Sequence, residues 1–148
     1  MAFGNPYGDV WYADIALHWI KKIVDLDVKI IALADTVGLA SQEDVSYLFA
    51  NVIPQFAAVE IGAHLHCTPF NWEKKTEAAF KAGCRRFDTA IKGFGGCPMA
   101  NNELVGNLAT ENLLLYLEKQ NVHTNLDVAK FAQASDEANM VFNTTYTT

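Results

Sequence analysis

The run Val59-Glu60-Ile61-Gly62-Ala63-His64-Leu65-His66 decides the fold. It alternates in character with the two-residue period of a β-strand. Upstream, Val28-Lys29-Ile30-Ile31-Ala32-Leu33-Ala34 is almost continuously apolar, as in a strand covered on both faces. Between the two lies a helix pattern. Ser41 and Asp44 resemble a capping box, Val45, Leu48, Phe49 and Val52 fall at i, i+3, i+4 and i+7, and Pro54 is expected to stop the helix. Downstream, Pro69 suits the start of a helix from about Phe70 to Ala82, with Gly83 at its end. A third strand is expected over Arg86-Phe87-Asp88-Thr89-Ala90-Ile91. Strand, helix, strand at this spacing makes right-handed βαβ units and a parallel sheet, an α/β fold.

Working outward, Asp9 reads as the cap of a helix whose Ile15, Trp19, Ile20 and Ile23 share a face. Met1 to Gly4 fits the end of a further strand. After the third strand comes a glycine-rich loop, Gly93-Phe94-Gly95-Gly96-Cys97-Pro98, running on to Gly106. Thr110 is placed to cap a helix reaching about Gln120, and Asn125 to cap another that carries Val128, Phe131, Ala132 and Ser135 on one stripe. There is no internal repeat, low-complexity tract or linker, so residues 1–148 form one domain.

Composition narrows the function. The chain carries a net charge of −6 and is 51% hydrophobic. Its Lys-Lys and Arg-Arg pairs are scattered rather than gathered into a stripe, which argues against nucleic acid as a partner. No run approaches the length of a membrane span. The three cysteines, Cys67, Cys84 and Cys97, form neither a disulfide framework nor a metal-binding spacing, and they fit a reducing, cytoplasmic setting.

The strongest chemical signal is His64-Leu65-His66. Residues two apart on a strand share a face, so both imidazoles project together near the strand's C-terminal end. They read either as ligands of a divalent metal or as two surface or hydrogen-bonded histidines. Asp35 ends the preceding strand, where an acid is expected to face the same rim and hydrogen-bond substrate or support the ligands from behind, or else to serve as a turn or cap aspartate. Cys97, among glycines, is either a proton-transferring thiol on a mobile loop or a buried small hydrophobe. Asn107 offers an amide oxygen to a metal or caps a loop. Glu111 sits in a first helical turn, where the helix dipole favours a carboxylate whatever else it does.

Taken in order, several segments resemble the 3-hydroxy-3-methylglutaryl-CoA lyase family. They are Gly4-Asn5-Pro6-Tyr7-Gly8, Ala34-Asp35-Thr36-Val37-Gly38, Ala63-His64-Leu65-His66, Gly93-Phe94-Gly95-Gly96-Cys97-Pro98 and Gly106-Asn107-Leu108-Ala109-Thr110-Glu111. The Asp-Thr-Val-Gly and His-x-His pieces belong to a wider superfamily of metal-dependent barrel lyases, aldolases and synthases. The Gly-Gly-Cys-Pro loop is more specific. The resemblance implies the C-terminal half of a (β/α)8 (TIM) barrel followed by C-terminal helices. It further implies retro-Claisen cleavage of a hydroxyacyl-CoA to acetyl-CoA and acetoacetate. His64, His66 and Asn107 would hold Mg2+ or Mn2+, Cys97 would be the loop thiol, and Asp35 and Glu111 would line the acyl site.

Two departures accompany the match. Cys67-Thr68 follows the histidines where the family often has Asp-Thr. The family's Arg-Asp-Gly motif, source of a catalytic arginine and a carboxylate ligand, does not occur here. A closed barrel takes about 250 residues, so the chain is expected to be an incomplete half-barrel with weak or absent metal binding and no turnover of its own. Its uncovered strand edges favour a homo-oligomer or association with a missing half. The competing readings are a sister aldolase or acyl transferase acting on 2-oxo acids, and a non-catalytic half-barrel.

Overall fold

The computed structural model describes residues 1–96 and 105–143. In chain order the elements are α1 (Ala13–Val24), β1 (Ile30–Asp35), α2 (Gln42–Gln55), β2 (Glu60–Cys67), α3 (Trp72–Lys81) and β3 (Arg86–Asp88). A single 3-10 turn (Ile91–Gly93), β4 (Gly106–Asn107), α4 (Thr110–Lys119) and α5 (Val128–Asn143) follow. Strands β1, β2 and β3 pair in parallel with β2 in the centre, as the alternation of strands and helices predicts.

Each strand divides its residues between two faces. Ile31 and Leu33 of β1, with Ile61, Ala63 and Leu65 of β2, are buried against the helix layer. There they join Val45, Leu48, Phe49 and Val52 of α2 in the core, so the predicted apolar stripe of α2 is the one that packs. The opposite face carries Ile30, Glu60, Gly62, His64 and His66, with Arg86 and Asp88 alongside in register. In a closed barrel this second face is the interior.

The element ends differ from the sequence expectation in instructive ways. The Ser41–Asp44 capping box is present, but α2 runs through Pro54 to Gln55, since a proline in the last turn gives up only one amide donor. Helix α1 starts at Ala13 after Tyr12, with no side-chain cap, so Asp9 does not cap it. Thr110 does not cap α4; its hydroxyl pairs with that of Thr89 at 2.9 Å. Asp127, not Asn125, caps α5, accepting from the Lys130 N–H at 3.1 Å. The third strand ends at Asp88, because Ala90 instead bridges to Ala109 and Lys92 turns left-handed at φ 55°. Residues 1–4 form no assigned strand, yet Ala2 N–H donates to Ala34 O at 2.8 Å and Phe3 is buried. Among the described residues, no helix is long and apolar enough to cross a membrane.

Candidate active site

The strand ends of β2 and β3, the glycine-rich loop and β4 meet at one rim. Alternation along β2 puts His64 and His66 on the same face, their ring centroids 5.4 Å apart. His66 is 7% exposed, and its Nδ1 is buried with no hydrogen-bond partner among the described residues. Burial lowers the His66 pKa below the ordinary imidazole value, and the adjacent His64 lowers it further; Thr36 and Asn107 pull it back in part. The ring is therefore biased to its neutral form, the form that donates a lone pair to a metal.

Asn107 comes to His66 through a short strand that the sequence pattern gave no reason to expect. β4 runs antiparallel to β2, with His66 opposite Asn107 and Cys67 opposite Gly106. Both amide hydrogens of Asn107 are used, donated to Phe94 O at 2.9 Å and Gly95 O at 2.7 Å. That leaves Oδ1 as the acceptor end of the amide, and the Asn107 side chain is hydrogen-bonded to His66. The packing depends on two glycines: a Cβ on Gly93 (φ +67°) would lie 2.8 Å from Asn107 O, and one on Gly95 (φ +82°) would lie 3.0 Å from Asn107 Nδ2. Two imidazoles and a neutral amide oxygen, with one buried nitrogen lacking a partner among the described residues, fit a divalent cation. Among the described residues no group of three or more His, Cys, Asp or Glu is placed to hold such an ion. A third donor from these residues is thus the amide.

Asp35 lies elsewhere. It pairs in register with Leu65, which fixes it on the helix-covered face, opposite the histidines. Only 1% exposed, it accepts from Lys75 Nζ at 2.6 Å and from the Ala40 N–H at 3.1 Å. The structure therefore separates Asp35 from the rim that the sequence reading had it share. Lys75 is 2% exposed and also donates to His66 O at 3.0 Å and Gly38 O at 3.1 Å. Its only sequence signal is its place on the apolar side of α3, beside Thr76, Ala78 and Ala79.

Glu111 stands in the first turn of α4 as expected. Its Oε2 accepts from the Lys92 N–H at 2.8 Å and its Oε1 from Ser135 Oγ at 3.1 Å, tying the glycine-rich loop to α5. Cys97 lies outside the described residues. Cys67 and Cys84 are buried free thiols, their pKa values pushed up by burial to about 12 and about 11. Beside the rim is a cavity of about 330 Å³ lined by Cys67, Thr68, Trp72, Lys92 and Asn112, among others.

Residues 7–137 match the family model described as HMGL-like. The chain is 33% identical over 135 residues to an (R)-citramalyl-CoA lyase of Chloroflexus aurantiacus, covering 91% of this chain and 42% of that protein. It is 28% identical to a hydroxymethylglutaryl-CoA lyase of Bacillus subtilis, covering 90% and 44%. Among solved structures, an HMG-CoA lyase of Bacillus subtilis superposes with a TM-score of 0.85 at 26% identity, covering 96% of this chain and 47% of that one. An HMG-CoA lyase of Acinetobacter baumannii, solved with coenzyme A and 3-methylmalate, gives 0.83 at 28%, covering 96% and 46%. The chain spans less than half the length of these relatives, and its sheet corresponds to a partial half of their TIM barrel. The sequence match, the barrel-half topology and the histidine rim lead to one conclusion: this chain belongs to the HMGL-like family of lyases.

Proposed function

We propose that the chain supplies the metal-holding half of a lyase that cleaves a carbon–carbon bond in a branched 3-hydroxyacyl-CoA. The substrate class is that of 3-hydroxy-3-methylglutaryl-CoA, split to acetyl-CoA and acetoacetate. The observation that carries the reading is the joint placement of His64, His66 and Asn107, with His66 Nδ1 buried and without a hydrogen-bond partner among the described residues. Relatives named for hydroxymethylglutaryl-CoA and citramalyl-CoA cleavage support this class over 2-oxo acids.

In this reading His64, His66 and Asn107 hold Mg2+ or Mn2+, which when bound polarises the substrate's oxygens as a Lewis acid. His66, neutral and shielded from water, keeps its lone pair available. Asn107 is held by the loop carbonyls so that its oxygen, not its NH2, faces the site. Cys97 on the glycine-rich loop delivers a proton to the carbon released by bond cleavage. Glu111 fixes the start of that loop through the Lys92 amide and lines the acyl side. Asp35 acts at one remove, by anchoring Lys75 beneath the His66 carbonyl.

The chain on its own does not turn over. The four strands among the described residues do not close an eight-stranded barrel, and in this reading a carboxylate from outside the chain completes the ligand set. Completion comes from another half-barrel or a second copy. The groove between α1 and β1, which Trp19, Ile23 and Ala32 help to line, is an apolar surface among the described residues.

The test is a fusion of the N-terminal half of the Bacillus subtilis relative to this chain. It is assayed with hydroxymethylglutaryl-CoA, citramalyl-CoA and 4-hydroxy-2-oxo acids. Mn2+-dependent acetyl-CoA release, lost in His64→Ala and Cys97→Ser, is expected. A folded, Mn2+-binding fusion that cleaves only the oxo acids contradicts the reading. Robust acetoacetate production by the pure 148-residue chain contradicts its dependence on a second half.

A further inference from the structure

We infer that Asp88 is the positioning residue of His64: the imidazole Nδ1–H donates to its carboxylate, which fixes the tautomer and turns the Nε2 lone pair outward. Asp88 is the register partner of His64 across the parallel β2–β3 pair, so the two side chains leave the sheet side by side on the same face. Asp88 Oδ2 stands 3.6 Å from His64 Nδ1, an ion-pair separation longer than a hydrogen bond, so the two side chains must close by a few tenths of an ångström to form one. No other charged group is ion-paired to His64 among the described residues.

The carboxylate is itself steered. Arg86 lies two residues before Asp88 on the same face and meets the other oxygen, Oδ1, at 3.7 Å through Nε. Its Nη1 is 3.7 Å from Glu60 Oε1. Arg86 reaches across the sheet because Gly62 has no side chain; a Cβ there would lie 2.8 Å from Arg86 Cδ. One oxygen of Asp88 thus faces the guanidinium and the other faces the imidazole. Glu60, Arg86 and Asp88 alternate in charge across the open face, and the line ends at His64 beside the proposed metal site.

A carboxylate on the far nitrogen of a ligating histidine fixes the ring's tautomer and orientation and raises its basicity. Asp88 does this from a second strand, so His64 is held by β3 as well as by its own backbone. The consequence for metal affinity rests on the function proposed above. The orientation of the ring does not, and it is read in the metal-free chain.

The experiment uses the 15N-labelled 148-residue chain at pH 9, where histidine is neutral. Long-range 1H–15N spectra report which ring nitrogen carries the proton, with the His64 signals assigned by their loss in His64→Gln. The expected result is the Nδ1–H tautomer in the wild type and in Asp88→Glu. In Asp88→Ala, His64 reverts to the Nε2–H tautomer that free imidazole favours, with the other amide signals in place. An Nε2–H tautomer in the wild type, or an unchanged Nδ1–H tautomer in Asp88→Ala, overturns the inference; the wild-type spectrum decides even if Asp88→Ala does not fold. A Mn2+ titration then separates the two claims. About 10–100-fold weaker binding in Asp88→Ala supports both, whereas a wild type with the Nδ1–H tautomer and no Mn2+ uptake upholds the orientation and overturns the metal reading.

Discussion

Lys75 Nζ lies 2.6 Å from Asp35 Oδ2, and both side chains are all but sealed from solvent. The ammonium has three protons and three acceptors: the Asp35 carboxylate, the carbonyl of Gly38 after β1 and the carbonyl of His66 on β2. One side chain of α3 therefore ties together the C-terminal ends of two neighbouring strands, directly beneath the histidine rim.

Removing one partner of this pair leaves the other charge buried and unmatched. Lys75→Met is expected to lower unfolding free energy by about 3–5 kcal/mol, and Asp35→Leu by a comparable amount. The double variant recovers a large part of the loss, since an apolar pair of similar volume needs no desolvated charge. Urea unfolding of the four proteins as a double-mutant cycle checks this. Strictly additive losses contradict it.

The glycine-rich loop offers a more local test. Gly95 adopts φ +82°, and an added Cβ would stand 3.0 Å from Asn107 Nδ2. Gly95→Ala is expected to destabilise the chain by about 1–2 kcal/mol through its left-handed backbone and to push the Asn107 side chain off the loop carbonyls. Crystallography or amide exchange at Phe94 and Asn107 reads the displacement. Gly8→Ala, with φ +80° and no atom near its Cβ position, bears the backbone penalty without disturbing Asn107.

Glu111 predicts a coupling between loop and C-terminal helix. In Glu111→Ala the Lys92 amide and Ser135 hydroxyl lose their acceptor, a loss of about 1.5–3 kcal/mol for hydrogen bonds to a charged group. Hydrogen exchange should accelerate in α5 and at Lys92 together while β1 and β2 stay protected. Faster exchange confined to α4 contradicts the tie.

The buried thiols give a pH dependence of definite sign. Cys84 titrates near 11 in the folded chain against an ordinary value of 9.0, with burial as the main cause. Above pH 9 the unfolded chain loses the proton first, so folded stability falls as pH rises from about 9 to about 11. Cys67, raised to about 12, extends the loss upward. In a Cys97→Ser background, Cys67 and Cys84 are expected to resist a thiol reagent at pH 8 until urea exposes them. Cys84→Ala should flatten part of the alkaline stability loss.

Much of this architecture is legible in the sequence, for identifiable reasons. The stripe Val45, Leu48, Phe49, Val52 and the alternation through His64-Leu65-His66 are local patterns, and local patterns survive into the fold. The faces of β1 were harder. A strand covered on both sides reads as uniformly apolar, so nothing in Ile30-Ile31-Ala32-Leu33-Ala34 shows which way Asp35 turns, and register with Leu65 decides it. Lys75 and Asp88 went unremarked because their roles depend on neighbours 40 and 24 residues away, Asp35 and His64 respectively. β4 is two residues long and exists only through its pairing with β2. Cys97 is a candidate from sequence alone.

The central claim is that His64, His66 and Asn107 hold one divalent metal. It is tested most directly by titrating the chain with Mn2+ and following free ion by EPR, in wild type, His64→Ala, His66→Ala and Asn107→Ala. The account predicts a single weak saturable site in the wild type, weakened at least about tenfold in each variant, in line with loss of a ligand. Equal Mn2+ uptake by all four proteins, or none by the wild type, would contradict it.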